Sequence, residues 1–185
     1  TLKQLDTIRQ KALKDMGPEA AAIFEAHMPL AQDPSLSDGI KSLVESSHTN
    51  VVAATAQTIE TFANIFLGME DPYMRERGAD IKDIGDRLMR NMLGMNPRGL
   101  SHISGAVILV AHDLAPSDTA SLDKNVVTGI VTAAGGPTSH AAIMARTLEI
   151  PAVMGVGDID GFVDGEKAVV LGTDGIVETN PSDAD

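Results

Sequence analysis

Apolar residues in the first half of the chain recur three and four positions apart, which is the period of an amphipathic helix. The first stripe contains Leu5, Ile8, Ala12 and Leu13, and similar stripes follow to about residue 95. They are separated by residues that commonly start or stop helices, namely Gly17, Pro18, Asp33, Pro34, Thr49, Asn50, Gly68, Asp71, Pro72 and Gly94. The sequence therefore predicts five helices with short connections, packed as antiparallel neighbours in a small bundle.

Four residues inside these helices are unusual for their positions. Pro29 predicts a kink or break, because proline lacks the N–H that a helix interior needs. Gly78 and Gly85 each cost about 1 kcal/mol relative to alanine in a helix, and close approach of two helices is one use for them. His27 is the residue of this half that most suggests chemistry, but we expect a half-buried helical histidine there rather than a catalytic group.

In the second half the apolar residues form short runs, the pattern of buried strands. Ala106–Ala111 is a continuous run that we expect to be covered on both faces. The further strands are predicted at Val126–Thr132, Pro151–Gly155, Lys167–Gly172 and Gly175–Thr179, the last two as a hairpin about Thr173-Asp174. Helices are predicted after Pro116 and from His140 to about Leu148.

Alternating strands and helices predict an α/β domain. Its first strand is missing from the pattern, and we expect that strand upstream of Thr1. The turn-rich segment around Asn96-Pro97 and Gly99 separates the two patterns. We therefore expect a helical bundle over residues 1–96 and an α/β domain over residues 97–185.

The composition of the 185-residue chain excludes several classes of protein. There is no cysteine, so neither a disulfide framework nor a thiolate metal site is available, and we expect a reducing, cytoplasmic location. No apolar run approaches the roughly 20 residues of a membrane-spanning helix. The net charge of −12 favours solubility or a basic protein partner, and with only 3% aromatic residues it disfavours nucleic acid as a target.

Candidate chemistry is concentrated where the strand ending at Thr132 gives way to a helix. Gly135 and Gly136 permit a tight turn and a close approach of a ligand to the backbone. His140 follows at the start of the helix, where free N–H groups and the helix dipole favour a bound anion. A histidine there can act as a nucleophile towards phosphorus and hold the phosphorylated product in a suitable field.

Other side chains could assist such a histidine. Thr138 and Ser139 carry hydroxyls that can cap the helix or donate to a phosphate, and Arg146 lies on the same helix. Thr119 is a candidate to orient the second ring nitrogen. The spacing alone leaves open whether His140 is a nucleophile or an exposed histidine beside a capping serine. The segment has neither a Walker nor a Rossmann fingerprint, and the other histidines lack zinc-ligand spacing.

The residues from Gly135 to Arg146 resemble the phosphohistidine signature of the phosphoenolpyruvate-utilising enzymes, and Leu148–Gly155 extends the match. That signature is shared by enzyme I of the sugar phosphotransferase system, pyruvate phosphate dikinase and phosphoenolpyruvate synthase. Asp113–Ala120 and Tyr73–Leu88 are similar to segments of enzyme I, as is the helical insert with Ala22–His27. The resemblance covers nearly the whole chain and indicates the N-terminal half of enzyme I or of a close paralogue.

The resemblance implies that His140 accepts a phosphoryl group from phosphoenolpyruvate on Nε2 and passes it to a histidine of the carrier HPr. It implies that Thr119 orients the ring through Nδ1. By the same resemblance, the site includes Thr138, Ser139, Arg146, Gly135 and Gly136 around the phosphoryl group. The bundle would be the HPr dock, with contacts at Glu19, Ala22, His27, Leu30, Asp33, Leu36, Met74 and Arg77.

In that family a C-terminal barrel binds phosphoenolpyruvate and Mg²⁺ and makes the enzyme a homodimer. The barrel is absent from this sequence, so we expect the chain to exchange phosphate with phospho-HPr but not to use phosphoenolpyruvate. Two alternatives stay open. One is the swivelling phosphohistidine domain of an enzyme similar to pyruvate phosphate dikinase or phosphoenolpyruvate synthase, and the other is a non-catalytic regulatory module that binds HPr.

Overall fold

The computed structural model describes residues 1–95, 103 and 105–182, apart from the side chain of Pro72. The chain forms two compact units, Thr1–Arg98 and Gly99–Asp185. The boundary predicted between residues 96 and 97 lies outside the described residues.

Within its described residues, the first unit is a bundle of five helices: α1 (Leu2–Met16), α2 (Pro18–Ala31), α3 (Pro34–Ser47), α4 (Val51–Leu67) and α5 (Pro72–Met92). Helix α1 packs against α2, α3 against α4, and α4 against α5, and α2 also contacts α5. All five predicted helices are present, so the prediction of a helical bundle is confirmed.

Polar side chains start three of these helices. Asp33 and Asp71 each accept a hydrogen bond from the backbone N–H two residues on, at 2.8 Å and 2.9 Å. At α4 the cap is Asn50, whose side-chain oxygen accepts from the backbone N–H of Val52 at 2.8 Å. The sequence allowed Thr49 or Asn50 as this cap, and the structure selects Asn50 because its side chain satisfies N–H groups that the first turn leaves unpaired.

Helix α2 does not break at Pro29. It passes through Pro29 and ends at Ala31. Pro29 lies in the last turn, where its missing N–H and its ring affect only the carbonyl four residues earlier and leave the preceding turns intact. The backbone N–H of Gln32 then bonds to the carbonyl of Pro29 at 3.1 Å and closes the helix end. The predicted interruption therefore falls just after the proline.

The two glycines of α5 lie against side chains of α4. A Cβ atom at Gly85 would be 2.5 Å from Cγ2 of Ile59, and one at Gly78 would be 2.7 Å from Cγ of Leu67. Both distances are shorter than van der Waals contact. The use suggested for these glycines, close approach of two helices, is confirmed.

The α3–α4–α5 side of the bundle contains an apolar cluster of Leu36, Ile59, Ala63 and Ile81, with Phe62 and Phe66 packed against it. On α1, Leu5 and Ala12 are fully buried. The apolar stripe predicted for α1 is partly wrong, since Leu13 is 47% exposed. Leu13 directly follows the buried Ala12, and adjacent helical residues point about 100° apart.

The second unit contains two small sheets. A parallel sheet has the order β1 (Val107–Ala111), β2 (Val127–Thr132) and β3 (Ala152–Met154). Strands β4 (Ala168–Leu171) and β5 (Ile176–Thr179) form an antiparallel hairpin. The helices are the short α6 (Pro116–Thr119) and α7 (His140–Leu148). The predicted α/β domain with a terminal hairpin is confirmed.

Strand β2 is the centre of the parallel sheet. Ile130, Val131 and Thr132 are fully buried, whereas every residue of β1 is only half-buried. The prediction that the first apolar run is covered on both faces is therefore wrong within the described chain. A strand with one neighbour, as β1 has here, leaves its other edge uncovered. None of the helices in the described ranges is long and apolar enough to span a membrane.

Candidate functional site

The candidate site lies at the carboxyl edge of the parallel sheet. Thr132, the last residue of β2, is in register with Ala111 at the end of β1 and with Met154 at the end of β3. The chain then turns through residues 133–139 and enters α7 at His140. Ligands in parallel α/β sheets commonly bind at this edge, because the loops that follow the strands meet there.

Hydrogen bonds hold the loop that follows β2 against the ends of its neighbours. The backbone N–H of Ala133 donates to the carbonyl of Ala111 at 3.0 Å, and that of Ala134 donates to the carbonyl of His112 at 2.8 Å. The hydroxyl of Thr132 is buried and donates to the carbonyl of Ala134 at 2.6 Å. The loop is therefore fixed from its first residue.

The segment after β3 braces the same loop from the other side. The N–H groups of Val156 and Gly157 donate to the carbonyls of Thr132 and Ala133 at 3.1 Å and 3.0 Å. A Cβ at Gly155, where φ is +74°, would lie 2.9 Å from the carbonyl oxygen of Gly135. Glycine is needed at this position for two reasons, the left-handed backbone and the close approach of the loop.

Ser139 caps helix α7. Its hydroxyl oxygen accepts a hydrogen bond from the backbone N–H of Ala142 at 3.3 Å, and the side chain is buried. Of the two uses that the sequence allowed for this hydroxyl, the structure shows the cap. Thr138 is exposed beside it. Gly135 has φ +94°, in the left-handed region, so this glycine supplies the turn that the sequence predicted.

His140 is the first residue of α7 and is half-buried. Its position places the imidazole beside the amino end of a helix, where the dipole and the N–H groups favour negative charge. The following residues Ala141, Ala142 and Ala145 are small and buried. The structure therefore gives the predicted nucleophile its predicted position at the junction of turn and helix.

Arg146 braces the loop. Its Nη2 donates a hydrogen bond to the carbonyl of Pro137 at 2.6 Å, across the first turns of α7. The side chain of Arg146 is exposed, so it keeps donors that face solvent. This contact ties the loop to the helix that carries His140.

Thr119 is fully buried at the end of α6, and α6 packs against α7. Its hydroxyl donates to the carbonyl of Pro116 at 2.8 Å. A hydroxyl whose proton is used in this way keeps its oxygen lone pairs for accepting a second hydrogen bond. The orienting contact between Thr119 and His140 stays a prediction.

The residues predicted to contact a partner divide into three groups by exposure in the first unit. Glu19, Ala22 and Met74 are exposed, while Leu30, Asp33 and Arg77 are half-buried. His27 is fully buried and Leu36 is 6% exposed, so these two are corrections to the predicted contact surface. Leu36 belongs to the apolar cluster, and His27 faces two carboxylates inside the bundle.

Apart from Met74, the sequence did not single out the exposed apolar side chains on either side of the α4–α5 connection, which we call the apolar patch. Its members are Ile65, Leu67, Met69, Tyr73 and Met74, each more than a third exposed. Arg77 lies beside it: Nη2 donates to the Tyr73 hydroxyl at 2.7 Å, and the guanidinium carbon lies 5.1 Å from the centre of the ring. The sequence feature that could have indicated this patch is Tyr73, the only tyrosine of the chain, because it directly precedes the predicted contact Met74.

In the described ranges 1–95, 103 and 105–182, no group of three His, Asp or Glu side chains is placed to hold a metal ion. The residues of the candidate site are instead hydroxyls, backbone amides, one imidazole and one guanidinium. Such a set suits a phosphoryl group rather than a cation.

Two family models match the chain, and their matches do not overlap. Residues 1–77 match the family described as PEP-utilising enzyme, N-terminal. Residues 103–175, which include His140, match the family described as PEP-utilising enzyme, mobile domain.

Similar proteins agree with this assignment. The phosphoenolpyruvate-protein phosphotransferase of Streptococcus equinus is 46% identical over 182 residues, which is 97% of this chain and 32% of that protein. The protein of the same name from Mycoplasma capricolum is 42% identical over 100% of this chain and 32% of its own length. The chain thus spans about a third of the length of the curated relatives that it matches.

Solved structures match over the whole chain. A solution structure of Enzyme I (nEIt) is 41% identical with a TM-score of 0.72, covering 99% of this chain and 74% of that one. The N-terminal domain of "Enzyme 1 - Nitrogen" is 27% identical with a TM-score of 0.61, at the same two coverages. The chain therefore belongs to the family of PEP-utilising enzymes, within which it corresponds to the N-terminal region of Enzyme I.

Proposed function

We propose that this chain carries out the phosphohistidine step of a phosphoenolpyruvate-protein phosphotransferase, in which His140 receives a phosphoryl group and exchanges it with a histidine of HPr. The observation that carries the proposal is the position of His140. It is the half-buried first residue of α7 and directly follows the loop after β2. That loop is hydrogen-bonded to the end of β1 and to the segment after β3. Family membership supports the same chemistry.

In the transfer, a ring nitrogen of the acceptor histidine uses its lone pair to form a new N–P bond. The N–P bond to His140 breaks, and its electron pair returns to the imidazole. No side chain needs to supply or remove a proton for this exchange, so positioning and charge stabilisation dominate catalysis. The amino end of α7 supplies a field that stabilises the phosphoryl oxygens.

Thr119 is proposed to orient the ring. Its hydroxyl already donates to the carbonyl of Pro116, so its oxygen is suited to accept the Nδ1 proton of His140. That contact leaves Nε2 with its lone pair directed away from α6, as the nucleophile. The packing of α6 on α7 supports this arrangement.

The remaining parts of the cycle are proposed to lie in sequence beyond this chain. The longer relatives are named for phosphoenolpyruvate, and this chain spans about a third of their length. We place phosphoenolpyruvate, Mg²⁺ and homodimer formation in that further sequence, and the residues described here offer no cluster suited to the metal. No step in the present chain depends on the ion. We place the protein in the cytoplasmic phosphotransferase system that serves sugar transport.

The helical unit is proposed to dock HPr. The exposed patch around Tyr73 and Met74 supplies apolar contact area, and Arg77 supplies a positioned cation. Exposed residues from the predicted set, Glu19 and Ala22, extend the candidate surface to α2. The net charge of −12 would draw a carrier with basic residues around its histidine.

The test is incubation of the chain with HPr that carries a labelled phosphoryl group. We expect acid-labile, base-stable label on the chain, none on a His140→Ala variant, and undiminished label on His112→Ala and His48→Ala variants. Label retained after His140→Ala would remove the proposal. HPr binding without label on any form would instead support the non-catalytic binding module. Label from ATP in the presence of a nucleotide-binding ATP-grasp domain, but not from phospho-HPr, would support the enzymes similar to pyruvate phosphate dikinase.

A further inference from the structure

A charged cluster lies inside the helical unit, between α2 and α5. His27 of α2 is fully buried, with Nε2 3.0 Å from Oδ1 of Asp80 and Nδ1 3.8 Å from Oδ2 of Asp83. Asp80 is 2% exposed and Asp83 is 8% exposed. Charged groups are rarely buried unless they are paired, because each loses its hydration. A cluster this deep in a small bundle therefore needs an explanation beyond packing.

Two further arginines lie on α5 and α1. On α5, Arg87 is 9% exposed and lies one helical turn after Asp83. On α1, Arg9 contacts Asp6 at 2.9 Å and Glu25 of α2 at 3.5 Å, near the protein surface. The Phe24 ring meets the imidazole edge-on, with centroids 5.6 Å apart. The contacts of His27 with acidic groups are thus to α5.

From Asp80 the contacts continue to the surface. The second carboxylate oxygen, Oδ2, lies 3.4 Å from Nη1 of Arg77. Arg77 in turn donates from Nη2 to the hydroxyl of Tyr73 at 2.7 Å. Tyr73 is 61% exposed and belongs to the apolar patch. One buried carboxylate therefore contacts a fully buried histidine with one oxygen and a partly exposed arginine with the other.

We propose that His27 is a positioning residue for the partner surface: a proton on Nε2 holds the Asp80 carboxylate, and Asp80 holds Arg77 against Tyr73. The role of this surface as the HPr dock rests on the proposed function, whereas the chain of contacts itself does not. Nε2 of His27 lies 3.0 Å from Oδ1 of Asp80 without aligned hydrogen-bond geometry. A bare Nε2 at that distance would set two lone pairs against each other, so the contact requires a proton on Nε2.

His27 is fully buried and acts on the partner surface only through Asp80 and Arg77. Two of the guanidinium nitrogens of Arg77 are fixed before any partner arrives, which lowers the entropy cost of using this side chain in an interface. Without His27, Asp80 would have Arg77 as its nearest cation among the contacts described above. We expect the carboxylate to change rotamer and the guanidinium to leave the ring of Tyr73.

The test uses the full chain without a partner. Tyr73 is the only tyrosine and there is no tryptophan, so its ring gives a single, unambiguous set of NMR signals. A glutamine can place its amide donor near the position of Nε2, and an asparagine near that of Nδ1. Both side chains are neutral, so the two variants differ in the position of the donor and not in charge.

We expect His27→Gln to leave the Tyr73 ring signals at their wild-type positions. We expect His27→Asn to move them towards the spectrum of an Arg77→Ala variant, in which the contact is absent. His48→Gln, a change at the end of α3, should move nothing. The proposal is overturned if His27→Asn folds with wild-type Tyr73 signals, or if both His27 variants shift them equally.

A second measurement needs no variant and decides the matter if His27→Asn does not fold. The nitrogen shifts of the His27 imidazole in the wild-type chain report which ring nitrogen carries a proton. A proton on Nε2 is expected, and a bare Nε2 overturns the proposal. Both measurements are made without HPr, so their failure is distinct from failure of the docking function.

The link to docking is then measured as affinity. His27→Asn should weaken HPr binding by about threefold to tenfold, the range expected when an interface arginine loses its preorganisation. His27→Gln should bind as the wild type does. Equal affinity for both variants, with Tyr73 signals shifted only in His27→Asn, would retain the positioning of Arg77 and remove its role in docking.

Discussion

Three polar side chains of the candidate site are engaged with the backbone. Ser139 caps α7, Arg146 bonds the carbonyl of Pro137, and Thr119 bonds the carbonyl of Pro116. Hydrogen bonds of this kind fix side chains in one rotamer and so fix what those side chains can contact. These three side chains near the proposed nucleophile therefore have defined orientations.

Replacing Thr119 by valine tests this positioning directly. Valine keeps the shape and removes the hydroxyl, so the imidazole of His140 loses its proposed acceptor, and we expect phosphoryl transfer from phospho-HPr to slow by about tenfold to a hundredfold. The carbonyl of Pro116 also loses a donor, at a cost of about 1 kcal/mol in folding free energy. Transfer rates and thermal unfolding are measured on the same preparations, with Thr119→Ser as the control that keeps the hydroxyl. An unchanged rate in Thr119→Val would exclude the orienting role.

Two glycines after β3 provide a matched pair for the loop. Gly155 and Gly157 both have positive φ, +74° and +84°, but only at Gly155 would a Cβ meet another atom, the carbonyl oxygen of Gly135 at 2.9 Å. An alanine at either position costs about 1–2 kcal/mol for the left-handed backbone. Gly155→Ala should cost more and should also slow transfer, because the loop before His140 must move.

Chemical denaturation of Gly155→Ala and Gly157→Ala gives the free energy of unfolding for both. Equal losses would show that the loop has room at Gly155. A larger loss at Gly155 with full transfer activity would separate the stability of the loop from its function.

Much of the fold follows from local sequence, whereas the exposure of individual side chains depends on contacts between elements that are distant in the sequence. Helix caps and the hairpin are set by side chains within a few residues, so Asp33, Asp71 and Thr173-Asp174 predicted them correctly. Burial depends on which element covers a face. His27 is inside because α5 presents two carboxylates to it, and Tyr73 is outside although it belongs to an apolar patch.

Among the helices, α4 and α5 pack closely at the two glycines of α5. Gly85→Ala introduces a methyl group 2.5 Å from Cγ2 of Ile59. Helix propensity favours alanine over glycine by about 1 kcal/mol, but overpacking costs about 1–3 kcal/mol, so we expect a net loss of stability. Denaturant unfolding measures it.

The same overlap predicts coupling between α4 and α5. In an Ile59→Ala background the clash partner is gone, so the effect of Gly85→Ala should fall towards zero or become stabilising. If the effects of the two substitutions on the free energy of unfolding are additive, the methyl group at Gly85 does not clash with Ile59. Close packing of α4 and α5 would then not explain this glycine.

For the whole molecule, the two compact units correspond to two proposed tasks. The first carries the candidate dock around Tyr73, and the second carries His140 on its loop. The chain spans about a third of its curated relatives, and the use of phosphoenolpyruvate is placed beyond it. The chain is therefore proposed to carry out one of the phosphoryl-transfer steps that lead from phosphoenolpyruvate to HPr.

Labelling experiments can test whether the chain takes phosphate from phospho-HPr only or also from phosphoenolpyruvate. Phospho-HPr should label the chain, whereas phosphoenolpyruvate with Mg²⁺ should not, even after long incubation. The readout is chain-bound phosphate, with a full-length relative as the positive control for phosphoenolpyruvate. Labelling by phosphoenolpyruvate alone would place the donor site within these 185 residues.

The proposed function requires the imidazole of His140 to form a bond to phosphorus. The most direct test is to label the chain with ¹⁵N, phosphorylate it with phospho-HPr, and record the histidine ring nitrogens together with the phosphorus signal. We expect a nitrogen–phosphorus coupling at Nε2 of His140 and at no other histidine. A coupling at Nδ1, at another histidine, or at none would contradict it.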